Sequence, residues 1–143
     1  MSVRTELTDL IRAVARKDWD TVDQLIATLD TAGWDGGVQV IGAAFVVAVN
    51  RRFRPDYDAR EVTRFVADLR SSYDHGGTLP ASETEATIRA ALGEPELADG
   101  VQPDVALPAQ VVVLGQLLRE ENLSEEQIEI FVAEVRSTVE RLF

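Results

Sequence analysis

VQVIGAAFVVAVNRRF, residues 38–53, has two readings, and the choice between them sets the fold. Its valines suit a strand. A stretch apolar on every side also suits a helix at the centre of an all-α domain. The surroundings favour the helix. Upstream, Val3, Leu7, Leu10, Ile11 and Val14 recur at three-and-four spacing, and Trp19, Val22, Leu25, Ile26 and Leu29 repeat the pattern. Asp18 or Asp20 is placed to cap the second of these helices, and the polar joint at 16–18 makes the two a hairpin. Gly33 ends the second helix, and the GWDGG turn leads into the apolar stretch.

Downstream, Pro55 breaks the chain, and Asp56 or Asp58 can cap a fourth helix with the stripe Val62, Phe65, Val66, Leu69 and Tyr73. DHGGTLPAS, 74–82, reads as a loop. Ser82 with Glu85 has the spacing of a capping box for a fifth helix through Leu92, stopped by Gly93 and Pro95. Residues 94–106 read as a loose connection with one short turn. A sixth, almost wholly apolar helix starts at Pro108. Ser124 with Gln127 supplies a second capping box, and Ile128, Phe131, Val132, Val135, Val139 and Leu142 carry the last helix to the end. The fold class predicted is all-α, one helical domain over 1–143 with about seven helices.

Part of the chain resembles another part of itself. Residues 58–72 set over 124–138 pair Phe65 with Phe131, Val66 with Val132, Ala67 with Ala133, Arg70 with Arg136 and Ser71 with Ser137. Each copy follows an apolar helix with an interior glycine, Gly42 or Gly115. Two three-helix units, 18–73 and 82–142, related by a pseudo-twofold, with the first helix added at the N-terminus, account for this. Units of about 60 residues bury little surface alone, so packing one on the other would complete the core. The glycines would then let two central backbones approach closely. The alternative is a short α-solenoid of helical hairpins, but no fixed repeat period supports it.

Composition excludes several functions. Cysteine is absent, which removes disulfides, thiolate nucleophiles and cysteine metal sites. The N-terminal residues lack the uninterrupted apolar stretch of a secretory signal, and the longest apolar run falls short of the roughly 20 residues of a membrane span. A soluble, cytoplasmic protein without a membrane role is expected. Thirteen of the 14 basic residues are arginine, a usage that suggests a GC-rich, bacterial coding sequence.

The net charge is −11, and residues 55–143 carry the whole excess, concentrated in 74–104 and in 120–134. Such a field repels phosphate backbones, so nucleic acid is not an expected partner. The basic cluster Arg51, Arg52 and Arg54 closes an apolar helix, where cations favour the negative end of the helix dipole.

Few residues suggest chemistry. His75 is the single histidine, too little for a zinc site, and no metal or other cofactor is expected. No phosphate loop, GxSxG elbow or HExxH helix occurs, and no spacing shelters two carboxylates together, so no catalytic residue can be nominated. Arg70 and Arg136, equivalent in the repeat, are candidates for one anionic ligand or acidic partner; the alternative is that they lie across apolar surface and pair with carboxylates. Trp19 and Trp34 are candidate partner-binding anchors flanking the second helix. The function expected is a non-catalytic, acidic interaction or regulatory module, binding a basic protein or a second copy of itself. The alternatives are a small-ligand bundle with a pocket between the units, lined by Phe45, Phe65, Phe131 and the arginine pair, and an acidic neutraliser of a basic protein.

Overall fold

The computed structural model describes residues 5–33, 36–54, 56–72 and 79–142. Among them are seven α-helices, a 3-10 turn at Pro95–Ala98 and no strand: α1 (Thr5–Arg16), α2 (Trp19–Ala32), α3 (Gly37–Arg52), α4 (Ala59–Ser72), α5 (Ala81–Ala91), α6 (Pro103–Glu121) and α7 (Glu125–Leu142). The all-α prediction holds, and residues 38–52 are helical. None of the helices is long and apolar enough to cross a membrane. Val3, Trp34, Pro55, Tyr73, Asp74 and His75, singled out in the sequence, lie outside the described residues.

Local chemistry accounts for the boundaries. Lys17, at φ 61°, turns the chain sharply after α1, and Asp18 then accepts from the Thr21 amide (3.3 Å) and the Thr21 hydroxyl (2.7 Å) to cap α2. Gly33 ends α2 at φ 104°, a backbone angle that a side chain would strain, and its N–H reaches the Leu29 carbonyl at 2.7 Å. Asp58 receives the Arg60 amide at 2.9 Å ahead of α4. The capping box at α7 forms in both directions, Gln127 N–H to Ser124 Oγ at 3.2 Å and Ser124 N–H to Gln127 Oε1 at 2.9 Å.

Two predicted boundaries are corrected. The Ser82–Glu85 box is not formed: α5 begins at Ala81 with Pro80 as its cap residue, so Ser82 already lies inside the helix. Glu85 instead accepts a hydrogen bond from the Thr63 hydroxyl of α4. The sixth helix starts five residues earlier than Pro108. Pro103, whose missing N–H costs nothing in a first turn, opens it, and Pro108 is carried inside.

The core gathers around α3, which packs on α1, α5, α6 and α7. Val40, Ala43, Ala44, Phe45, Ala48 and Val49 are all buried there, as expected for a helix apolar on every side. In a solenoid each hairpin would touch only its neighbours in sequence. Here α1 packs on α6 and α7, so the two ends of the chain share one core.

The packing does not show a twofold between the proposed units. Such an axis would exchange α4 with α7, yet α7 packs on α3 and α1 while α4 packs chiefly on α5. The role given to the glycines is also corrected. A Cβ built at Gly42 or Gly115 would meet no atom of a neighbouring element within 4 Å, so the approach of α3 to α6 does not run through them.

Candidate functional site

The arginines closing α3 are structural. Arg51 lies 5.6 Å from the ring centre of Phe131, and Arg52 lies 5.1 Å from that of Phe53 and 5.8 Å from that of Phe65. The two phenylalanines matched in the sequence are thus each covered by one of two adjacent guanidinium groups. Both rings are buried, and Phe65 meets Phe53 edge-on at 5.7 Å.

The same arginines reach the acidic residues that the sequence offered to a basic partner. Arg51 pairs with Glu121 (3.4 Å) and Glu134 (3.9 Å), and Arg52 with Glu120 (3.7 Å). From α1, Arg12 grips Glu129 through two hydrogen bonds (2.8 and 3.0 Å), and Arg16 grips Glu125 (2.8 Å). Five of the six acids between Glu120 and Glu134 therefore face arginines of the first 52 residues. The Arg12 hydrogen bonds hold the Glu129 carboxyl below the ordinary carboxylate range. The acidic stretch is largely neutralised within the fold.

A second polar cluster ties the loop before α4 to the end of α5. Tyr57 donates its hydroxyl to Glu94, which also accepts from Arg89 Nε and Nη2, each at 3.0 Å. Burial, reinforced by the Glu94 hydrogen bond, raises the Tyr57 hydroxyl above its ordinary value, and Arg89 lowers the Glu94 carboxyl. Each of these groups has its partner inside the cluster. Among the described residues no group of His, Cys, Asp and Glu could hold a metal ion.

The matched arginines have unlike surroundings. Arg70 is half-buried and its Nε donates to the Leu79 carbonyl at 2.8 Å, fastening the end of α4 to the start of α5. Arg136 is exposed on α7. Among the described residues their helices are not among those that pack extensively on one another, and neither arginine lines the grooves found there. Phe45 and Phe131, suggested as pocket lining, are packed in the core, whereas Phe65, also largely buried, borders a polar cleft of about 300 Å3 between α4 and α6.

Trp19 is placed differently. It stands 48% exposed at the start of α2, on the edge of a groove of about 460 Å3. Leu10, Ile11 and Val14 of α1 contribute to its apolar lining. Trp19, Val22 and Ile26 of α2 face Val111 and Val112 of α6 across it. Ile26 and Val111 are exposed as well, at 37% and 48%. Among the described residues of the lining, Gln116 and Arg119 carry the polar side chains, and Gln116 donates to Glu120 at 3.2 Å. Among the described residues α2 packs extensively on α1 alone, which leaves the facing flank of α6 uncovered by them.

Ile26, Val111 and Arg119 had not been nominated from the sequence. The signal available was that α6 is apolar on every side, which states how much cover the helix needs but not whether the chain supplies it. Comparison with protein-family models, with curated proteins and with solved structures returned no match.

Proposed function

We propose that this protein is a non-catalytic interaction module that docks an apolar helical face of a partner protein in the groove between α1, α2 and α6. The observation that carries the reading is the facing set Trp19, Ile26 and Val111, three large apolar side chains left exposed around one concavity. Singly exposed apolar residues are ordinary, whereas a concave group of them, with an aromatic at its edge, is the usual form of a docking site for an amphipathic helix. The ion-paired or solvent-facing state of the described carboxylates is consistent with a binding rather than a catalytic role.

The groove volume also lies in the range of small-molecule sites, which favours an apolar small ligand as the second reading. Selection from a displayed library of helical peptides separates them. Enriched peptides should share apolar residues at i, i+4 and i+7, and Ile26→Asp or Val111→Asp should abolish their binding. Enriched peptides indifferent to both substitutions would place the docking surface elsewhere.

A further inference from the structure

The groove differs at its two ends. Lys17 Nζ reaches Asn122 Oδ1 at 3.3 Å and Arg16 reaches Glu125 at 2.8 Å, so the end of α1 meets the end of α6, and α2 starts at that same place. Trp19 and Arg119, both in the lining, therefore stand at one end. Toward the other end, α2 finishes at Ala32 and α3 begins at Gly37. Ile41 of α3 belongs to the lining, and Val38, one turn earlier on the same side of α3, is 61% exposed. One end is cationic, and the other runs out into uncovered apolar surface.

Arg119 is not tied down by the fold. Unlike Arg12, Arg16, Arg51 and Arg52, it has no carboxylate partner among the described residues. Its neighbour Glu120 accepts from Gln116 at 3.2 Å and pairs with Arg52 at 3.7 Å. Asp18, at the same end of the groove, is turned to the Thr21 amide and hydroxyl. A cation in the last turn of α6 favours the helix dipole. That accounts for a basic residue at this position, but an arginine serving the dipole alone has no need to border an apolar groove. Among the described residues of the lining there is no carboxylate.

We infer that the occupant is an amphipathic helix whose apolar stripe is bounded at one end by an aspartate or glutamate, and that this carboxylate pairs with Arg119. This rests on the docking function proposed above and adds the chemistry of the partner. The lengths agree: Trp19 and Ile26 on one wall are seven residues apart, about 10.5 Å at 1.5 Å per residue, and i to i+7 of an occupant helix covers the same distance. Apolar anchors over that length fill the space between Trp19, Ile26 and Val111 and bring the next turn of the occupant to the guanidinium. An arginine fork takes a carboxylate by two parallel hydrogen bonds. A lysine or arginine there would set like charges together, so Arg119 decides partner choice more than it adds raw affinity. The net charge of −11 pointed to a basic partner, whereas the charge bordering the groove is positive.

The test measures, by fluorescence anisotropy, the binding of labelled helical peptides to the full chain. All share one leucine stripe at i, i+4 and i+7 and are blocked at both termini. In one set residue i−4 is glutamate, glutamine or lysine. In a second set residue i+11 is varied in the same way, because a helix can enter the groove in either direction. In one of the two sets the glutamate peptide should bind about tenfold tighter than the lysine peptide, with glutamine between them. Arg119→Gln should erase that order and Arg119→Glu should reverse it, while circular dichroism shows the helices intact. Raising salt from about 0.05 to 0.5 M should shrink the difference.

Equal binding within both sets, lost in Val111→Asp, would overturn the acidic anchor and leave the docking groove standing. An order that favours lysine, or one that persists in Arg119→Gln, would overturn it in the same way. Absence of any peptide binding would overturn both the anchor and the docking function; decanoate binding weakened in Arg119→Gln would then make the groove a site for a small anionic amphiphile. A dimer in solution that Val111→Asp returns to monomer would also overturn the inference, by making a second copy the occupant.

Discussion

α3 and α6 are alike in sequence, each apolar nearly all round and each with one interior glycine. Apart from Val38 in its first turn, which is exposed, the apolar residues of α3 are largely covered by α1, α5, α6 and α7. Along α6, Val113, Leu117 and Leu118 are buried as deeply as anything in α3, yet Val111 faces water across the groove. The difference comes from their neighbours. α2 spends its apolar stripe on α1 and leaves an open channel beside α6. An apolar helix records a demand for cover, and where the chain does not meet that demand, a partner can.

The enclosed side should be the expensive one to damage. Phe131→Ala empties a fully buried position beneath Arg51 and is expected to cost about 3–5 kcal/mol in chemical denaturation. Phe65→Ala, in the cluster with Phe53 and Arg52, should fall in the same range. Near-neutral values for both would dissolve the contrast between a closed core and an open flank.

The contrast can be sharpened within one helix. Val113 is 0% exposed and Val111 is 48% exposed. Val113→Ala should cost about 2–3 kcal/mol from lost burial and the cavity left behind. Val111→Ala should change stability by less than about 0.5 kcal/mol, because little burial is lost and alanine is the better helix former. Equal losses would mean that the groove is closed in solution.

How far the sequence led follows the same division between local and distant interactions. Asp18 as a cap and the Ser124–Gln127 box were legible because cap and amide lie within three residues of one another. The α5 box failed because its pattern was matched one residue inside a helix that Pro80 had already begun. The Arg12–Glu129 pair joins positions 117 apart, and no local pattern announces it. An acidic stretch that looked ready for a partner was therefore matched, out of view, by arginines of the first 52 residues. The groove was invisible for the same reason: it is defined by which helix α2 leans on. Of the nominated binding residues that are described, Trp19 is placed at it, and Arg70 and Arg136 are not in its lining.

The interior glycines supply a smaller effect of opposite sign. A Cβ at Gly42 or at Gly115 meets open space, so Gly42→Ala and Gly115→Ala should each add up to about 1 kcal/mol by removing the conformational penalty of a helical glycine. The gain is read as a higher denaturant midpoint at unchanged slope. A loss at either position would restore the close backbone approach expected from the sequence.

The smallest effects are at the surface, where two carboxylates respond to pH for different reasons, one on each side of the molecule. Hydrogen bonds from the Thr21 hydroxyl and amide lower Asp18, the cap of the groove wall α2. Arg12 lowers Glu129, which ties α7 to α1 on the enclosed side. A carboxyl whose folded pKa lies below its unfolded one contributes stability above the unfolded pKa and loses it as pH falls through the folded value. The melting temperature should therefore drop on acidification below about pH 4.5, and Asp18→Asn or Glu129→Gln should each flatten that drop. Salt separates the two. The Glu129 contribution is an exposed ion pair and should fade as ionic strength rises, whereas the Asp18 contribution, made by neutral donors next to a helix start, should persist. If added salt removed both alike, α2 would be held by long-range charge rather than by its cap, and the groove wall would share the ionic fastening of the enclosed side.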